Sequence, residues 1–222
     1  MKINNRLKQI GDLVDANSFC LDIGCDHALL DIYLVKKDKN ITAIASDIAE
    51  GPLNSARENI KREKLEDKIE VRLGNGLDTY TDEVDTAIVS GMGGRTIIGI
   101  FKNNLNITKK LDTIIVSPNN YQEDVKRFLV KCGFYIEAEE LVKEGKFIYQ
   151  IIKLKKGKKK YSKEEYFFGP VLLEKRGKLF IDYYTRELKS REILISLLPK
   201  NYRLKKYKIK KEIKLINDVL KR

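Results

Sequence analysis

Phe19-Cys20-Leu21-Asp22-Ile23-Gly24-Cys25-Asp26-His27-Ala28 is the stretch whose reading decides the fold. A short apolar run carries one acid and stops at a glycine. Polar residues follow, then Leu29, Leu30, Ile32, Tyr33, Leu34 and Val35 at helical density. This is the turn from a first strand into a first helix in a doubly wound α/β domain. Gly24 lets the backbone turn tightly and approach a ligand. The helix start behind it offers unpaired N–H groups.

Working outward, Ile3, Leu7, Ile10, Leu13 and Val14 share one helical face, so a helix over 3–16 is predicted ahead of the sheet. Further strands are predicted at 41–46, 69–73, 86–89 and 112–116. Helical patterns separate them: Leu53, Ala56 and Ile60 after Pro52, then Ile97, Ile98 and Phe101, then Val125, Phe128 and Leu129. Phe134 to Val142 and Phe147 to Leu154 are adjacent strand patterns across Glu144-Gly145, which predicts a hairpin. Five strand–helix alternations closed by an antiparallel pair predict a mostly parallel, Rossmann-like sheet with an antiparallel end. That end suits S-adenosylmethionine (SAM) methyltransferases of class I better than a dehydrogenase. A lysine-rich boundary, Lys153 to Lys160, precedes a helical pattern over 164–198. Pro199 breaks it, and a last helical pattern runs from Tyr202 to Leu220. Two domains are expected: a catalytic α/β domain over 1–160 and a coiled-coil-like α-helical hairpin over 161–222.

Charge divides the chain in the same way. Residues 1–150 hold 21 basic and 24 acidic residues, and residues 151–222 hold 23 and 8. A basic segment beside a near-neutral one points to a polyanion, nucleic acid first. A solvated lysine face is the alternative. The three cysteines form no CxxC pair and there is one histidine, so neither a disulfide framework nor a zinc site is expected. The N-terminus lacks an apolar signal core and no run of 18 apolar residues exists, so a cytoplasmic protein without a membrane span is expected.

A pyrophosphate-binding turn wants three glycines. Here charged or bulkier residues fill the second and third positions, and Asp26 would repel a pyrophosphate. An ammonium-bearing ligand would instead be attracted by Asp22 and Asp26, which favours SAM over NAD. Asp47, at the end of the second strand, can accept hydrogen bonds from both ribose hydroxyls, with Ile48 beside it. Asn75, followed by Gly76, can meet an adenine edge; a plain Asn-Gly turn is the alternative. Ser90-Gly91-Met92-Gly93-Gly94 ends the fourth strand, where its glycines open space for a flat substrate and Met92 offers a pliable apolar surface. Pro118 and Asn119 end the fifth strand and can form the far wall.

The combination resembles the bacterial tRNA (adenine-22 N1)-methyltransferases. The resemblance rests on Asn5-Arg6-Leu7, Asp22-Ile23-Gly24-Cys25-Asp26-His27-Ala28, Glu50-Gly51-Pro52-Leu53, Gly74-Asn75-Gly76-Leu77, Ser90-Gly91-Met92-Gly93-Gly94, Pro118-Asn119 and Phe168-Gly169-Pro170. Asn75, Ser90 and Ser117 depart from the family's usual Asp, Ala and Gln. The resemblance implies a SAM-binding catalytic domain, a C-terminal helical hairpin and methylation of an adenosine in the tRNA D-arm.

The expected assignments follow. Asp22, Gly24, Asp26, His27, Asp47, Ile48, Asn75, Gly76, Gly91 and Met92 are expected at the cofactor. Asp26, His27 and Met92 are expected at the reacting groups. Arg6, Gly93, Gly94, Pro118, Asn119, Lys205, Lys206 and Lys208 are expected at the tRNA. A monomer is expected. The rivals are a non-catalytic RNA-binding protein on the same fold and a methyltransferase for another RNA or a small molecule.

Overall fold

In the computed structural model, which describes residues 3–199 and 201–222, seven strands align in one sheet. In chain order the elements are α1 (Asn5–Asp12), β1 (Phe19–Ile23), α2 (Leu29–Lys37), β2 (Thr42–Asp47), α3 (Glu50–Glu63), β3 (Ile69–Leu73), β4 (Thr86–Ser90), α4 (Gly94–Asn103), α5 (Leu105–Thr108), β5 (Thr113–Ser117), α6 (Gln122–Lys131), β6 (Phe134–Glu144) and β7 (Phe147–Lys156). A 3-10 turn, Gly76–Thr79, follows β3. The sheet order is β3-β2-β1-β4-β5-β7-β6. β1 to β5 are parallel, and β7 runs antiparallel to both β5 and β6.

The period-two alternation of the strands sorts their side chains onto two faces. Cys20, Ala43, Ala45, Ile88 and Ile115 join one core with Ile10 of α1, Leu34 of α2 and Leu53 of α3. Leu21, Ile44, Ala87, Val89, Ile114 and Val116 join the other with Ile97 and Phe101 of α4 and Val125 and Leu129 of α6. Helices therefore cover both faces, and the order reverses between β1 and β4. Open α/β sheets bind ligands in the crevice at that reversal, beyond the strands' carboxyl ends. The pairing of β7 with β5 reaches Ile152 opposite Val116, whereas the β6–β7 ladder continues to Glu144 opposite Phe147. Residues 147–151 thus extend past β5 on the carboxyl-end side of the sheet.

Two helical expectations are corrected. The helix expected over 3–16 spans only Asn5–Asp12, because Asn4 caps its start through Leu7 N–H and the chain turns at Leu13 and at Asn17, whose φ is 61°. The pattern over 164–198 is three helices, α7 (Lys163–Phe168), α8 (Pro170–Lys175) and α9 (Lys178–Leu197). Gly169 takes φ 96° and Pro170 removes an N–H, so α7 cannot run on; Arg176 and Gly177 break the chain again. Ser162 and Glu165 form a capping box on α7. Tyr161 Oη accepts a hydrogen bond from Ile136 N–H at 2.8 Å.

The chain forms two compact units, Met1–Val171 and Leu172–Arg222. In the second, α9 pairs with α10 (Arg203–Leu220) around Phe180, Tyr184, Ile209, Ile216 and Val219. Arg191 bridges the two helices by pairing with Glu187 and Glu212. Leu204 and Tyr207 on α10, and Tyr202 just before it, are exposed at 81%, 58% and 49%. Among the described residues no helix is long and apolar enough to cross a membrane.

Candidate active site

The turn after β1 holds an unusual backbone. Gly24, Asp26 and Ala28 have φ of 78°, 53° and 53°. An alanine in the left-handed region is disfavoured by roughly 1–2 kcal/mol, so the surrounding structure must hold it there. It does so through Gly24 and Cys25 N–H, which both donate to Ser46 O at the end of β2, at 2.8 and 3.0 Å. Asn59 of α3 donates to His27 O at 3.0 Å. Asp26 and His27 are thereby pushed into solvent, with side chains 73% and 48% exposed and His27 Nε2 3.4 Å from Asp26 Oδ1.

A cleft of about 130 Å³ opens at the reversal point, lined by Gly24, Asp47, Ile48, Asn75, Met92 and Ile100 among others. Asp47 is oriented by Ala49 N–H, which donates to its Oδ1 at 3.0 Å. Ile48, 73% exposed, stands beside it. Gly76 must be small, since a β-carbon there would lie 3.1 Å from Ile100. This set fits a nucleoside-bearing cofactor such as SAM. The cleft's lining combines the Asp47 carboxylate, the Asn75 amide and the apolar Ile48 and Ile100.

Asp22 is not in contact with that cleft's solvent. It is buried and faces Asp31 of α2, also fully buried. Neither Asp31 carboxylate oxygen has a hydrogen-bond partner of settled polarity, and the neighbouring acid is Asp22. Burial raises both: Asp22 lies well above the usual carboxylate range, and Asp31 is pushed up to about 7.

The loop after β4 is held by the loop after β5. Asn119 N–H donates to Met92 O at 2.9 Å and its side chain donates to Gly91 O at 2.7 Å. Asn120 Oδ1 accepts from Gly94 N–H at 3.0 Å. Pro118 is buried behind them. Arg6 reaches this loop from α1: its guanidinium lies 3.3 Å from the position of a β-carbon on Gly91. Arg6, Gly24, Gly91 to Gly94 and Asn119 are therefore neighbours, although Arg6 is far away in sequence. Lys205, Lys206 and Lys208 lie on α10, in the second unit.

Sequence reasoning missed Asp31 and Ile100. Asp31 was detectable as the one acid inside the apolar run Leu29 to Val35. Ile100 carries no local mark, since it reads as an ordinary apolar position.

Fold and cleft together are those of a class I SAM-dependent methyltransferase domain. Comparison narrows this. The chain belongs to the tRNA (adenine(22)-N(1))-methyltransferase family, whose model matches residues 20–218. It is 27% identical over 195 residues to the tRNA (adenine(22)-N(1))-methyltransferase of Bacillus subtilis (strain 168), covering 85% of this chain and 82% of that one. It is also similar to a Streptococcus pneumoniae protein solved in complex with S-adenosyl-L-methionine (32% identity, TM-score 0.90, 99% and 100% of the two chains). M. capricolum TrmK in complex with S-adenosyl-homocysteine is a further neighbour (27% identity, TM-score 0.87, 100% and 99% covered).

Proposed function

We propose that this chain binds SAM in the cleft between Gly24, Asp47, Asn75 and Met92 and directs its methyl group to N1 of adenosine 22 in tRNA. The observation that carries this reading is the convergence of the segments after four strands, β1 to β4, on one cleft beside a glycine-rich loop.

The cofactor, when bound, supplies an electrophilic methyl group. Adenine N1 offers an in-plane lone pair that is largely unprotonated at neutral pH, so the protein needs no strong base. Its task is positioning, an effect worth up to about 7–11 kcal/mol. N1 lies on the pairing edge, so the base must leave its stack. Gly91 and Gly93 give a flat base room, whereas Gly94, expected at the tRNA, is buried and lets the loop pack against Asn120 and Tyr121; Asn119 and Asn120 fix the loop that receives the base. Methylation leaves the base cationic, and Asp26, on the exposed turn after β1, is the carboxylate assigned to favour that charge. Because Asp26 is largely exposed, its effect is strong only once the base covers it and excludes water. His27 then serves to orient Asp26 or the base edge.

The basic helical hairpin binds the tRNA backbone, while the sheet unit performs the chemistry. One chain supplies every group named, so the protein acts as a monomer, in the cytoplasm where tRNA is modified. The test is to supply purified protein with labelled SAM and unmodified tRNA and to map the product. Label at N1 of adenosine 22 is expected; no transfer to any tRNA overturns the reading.

A further inference from the structure

The methyl-transfer loop is continued outward by a row of planar groups that no part of the mechanism above uses. Arg6 lies against Gly91, as described. Its guanidinium carbon is 4.6 Å from the centre of the Tyr149 ring. Tyr149 is in turn 6.3 Å, centre to centre, from Phe147, with the rings tilted by 51°. Phe147 is 56% exposed at the start of β7, an unusual place for a bare phenylalanine. Lys146 adds a cation 5.3 Å from that ring. These residues sit where the β6–β7 hairpin extends past β5, on the same side as the glycine-rich loop.

Arg6 is half-buried and forms no ion pair among the described residues. Glu144, at the end of β6, accepts from Asn5 N–H at 2.8 Å, next to Arg6 in the chain. A cation held on an aromatic ring, without a protein anion, suits an incoming phosphate or nucleobase. Exposed aromatic rings interleaved with cations are also how proteins hold unpaired nucleotides. Flipping the target adenosine unstacks its neighbours, which then need a new surface.

Resting on the reading that tRNA is the substrate, we propose that Arg6, Tyr149 and Phe147 form a stacking platform for the nucleotides next to the flipped adenosine. The hairpin tip receives a base on Phe147, and Arg6 holds the connecting phosphate at the mouth of the site.

The test measures methylation kinetics on unmodified full-length tRNA, and SAM affinity separately, for the wild type, Phe147→Ala and Phe147→Tyr. Loss of one stacked base predicts a rise of roughly five- to a hundredfold in KM for tRNA in Phe147→Ala. SAM affinity should be unchanged, and Phe147→Tyr should stay near wild type. The chain has no tryptophan. Phe147→Trp is therefore a lone reporter whose fluorescence should be quenched when tRNA is added. Wild-type activity with an unaltered KM in Phe147→Ala, or no quenching, overturns the platform alone. Absence of wild-type methylation overturns the tRNA reading and the platform with it.

Discussion

The terminal methyl of Met92 lies where a β-carbon on Gly24 would have to be. The two residues follow β1 and β4, the strands at which the sheet order reverses, and both line the cleft. Met92 is flexible and can move aside. A side chain on Gly24 cannot, and at φ 78° it would also strain the backbone.

Gly24→Ala is therefore expected to lower SAM affinity at least about tenfold, the equivalent of about 1.4 kcal/mol. Equilibrium dialysis with labelled SAM measures this. Met92→Ala in the same background should recover part of the loss by restoring space, though not the backbone preference. Unchanged affinity in Gly24→Ala would place the cofactor elsewhere.

The buried pair Asp22 and Asp31 makes stability depend on pH. Burial keeps both protonated above the ordinary carboxylate range. Between roughly pH 4 and 7 the folded chain thus binds more protons than the unfolded one, so this pair's contribution falls as pH rises through that window. Asp31→Asn keeps the shape and supplies a fixed donor to Asp22. Its Tm relative to wild type should be several degrees more favourable at pH 8 than at pH 5. A pH-independent difference would show that the pair does not titrate in this range.

Glu139 ties the chain after α7 to the sheet. It is fully buried and accepts from Gln150 Nε2 at 3.0 Å and Val171 N–H at 3.1 Å, with Lys126 Nζ 3.5 Å away. A β-carbon on Gly169 would strike this carboxylate. Glu139→Gln leaves Lys126 buried without its counter-charge, so a loss of about 3–5 kcal/mol is expected in urea unfolding. Adding Lys126→Met should recover most of it. Additive losses in the double variant would contradict a coupled pair.

Much of this was legible because strand ends announce themselves. Gly24, Asp47, Asn75 and Gly91 each stand at or just past the end of an apolar β run, and a parallel sheet brings successive carboxyl ends together; Asp22, inside β1, is instead buried against Asp31. What stayed hidden depends on contacts between distant segments. Arg6 and Tyr149 are apart in sequence and meet only because α1 and the β6–β7 hairpin flank one loop. Asp31 stands out as the one acid in an apolar run, but its importance comes from facing Asp22 across a helix–strand contact, which the sequence does not show. The helix breaks at Gly169 and Gly177 were written in the sequence, but periodicity outweighed them across one apolar pattern.

Lys205 and Lys208 are exposed on α10, with Lys206 half-buried between them. If their role is to neutralise phosphates, tRNA binding releases counterions and weakens with salt. The slope of log affinity against log salt then counts the contacts, at roughly 0.7–0.9 for each phosphate neutralised. Lys205→Gln with Lys208→Gln should flatten that slope by about this amount per lysine and weaken binding most at low salt. SAM affinity should not change, because the cleft lies wholly within the first unit. Fluorescence anisotropy of labelled tRNA over a salt series distinguishes this from loss of shape, which lowers affinity without changing the slope. An unchanged slope would make these lysines a solvated face and move the basic contact to another part of the hairpin.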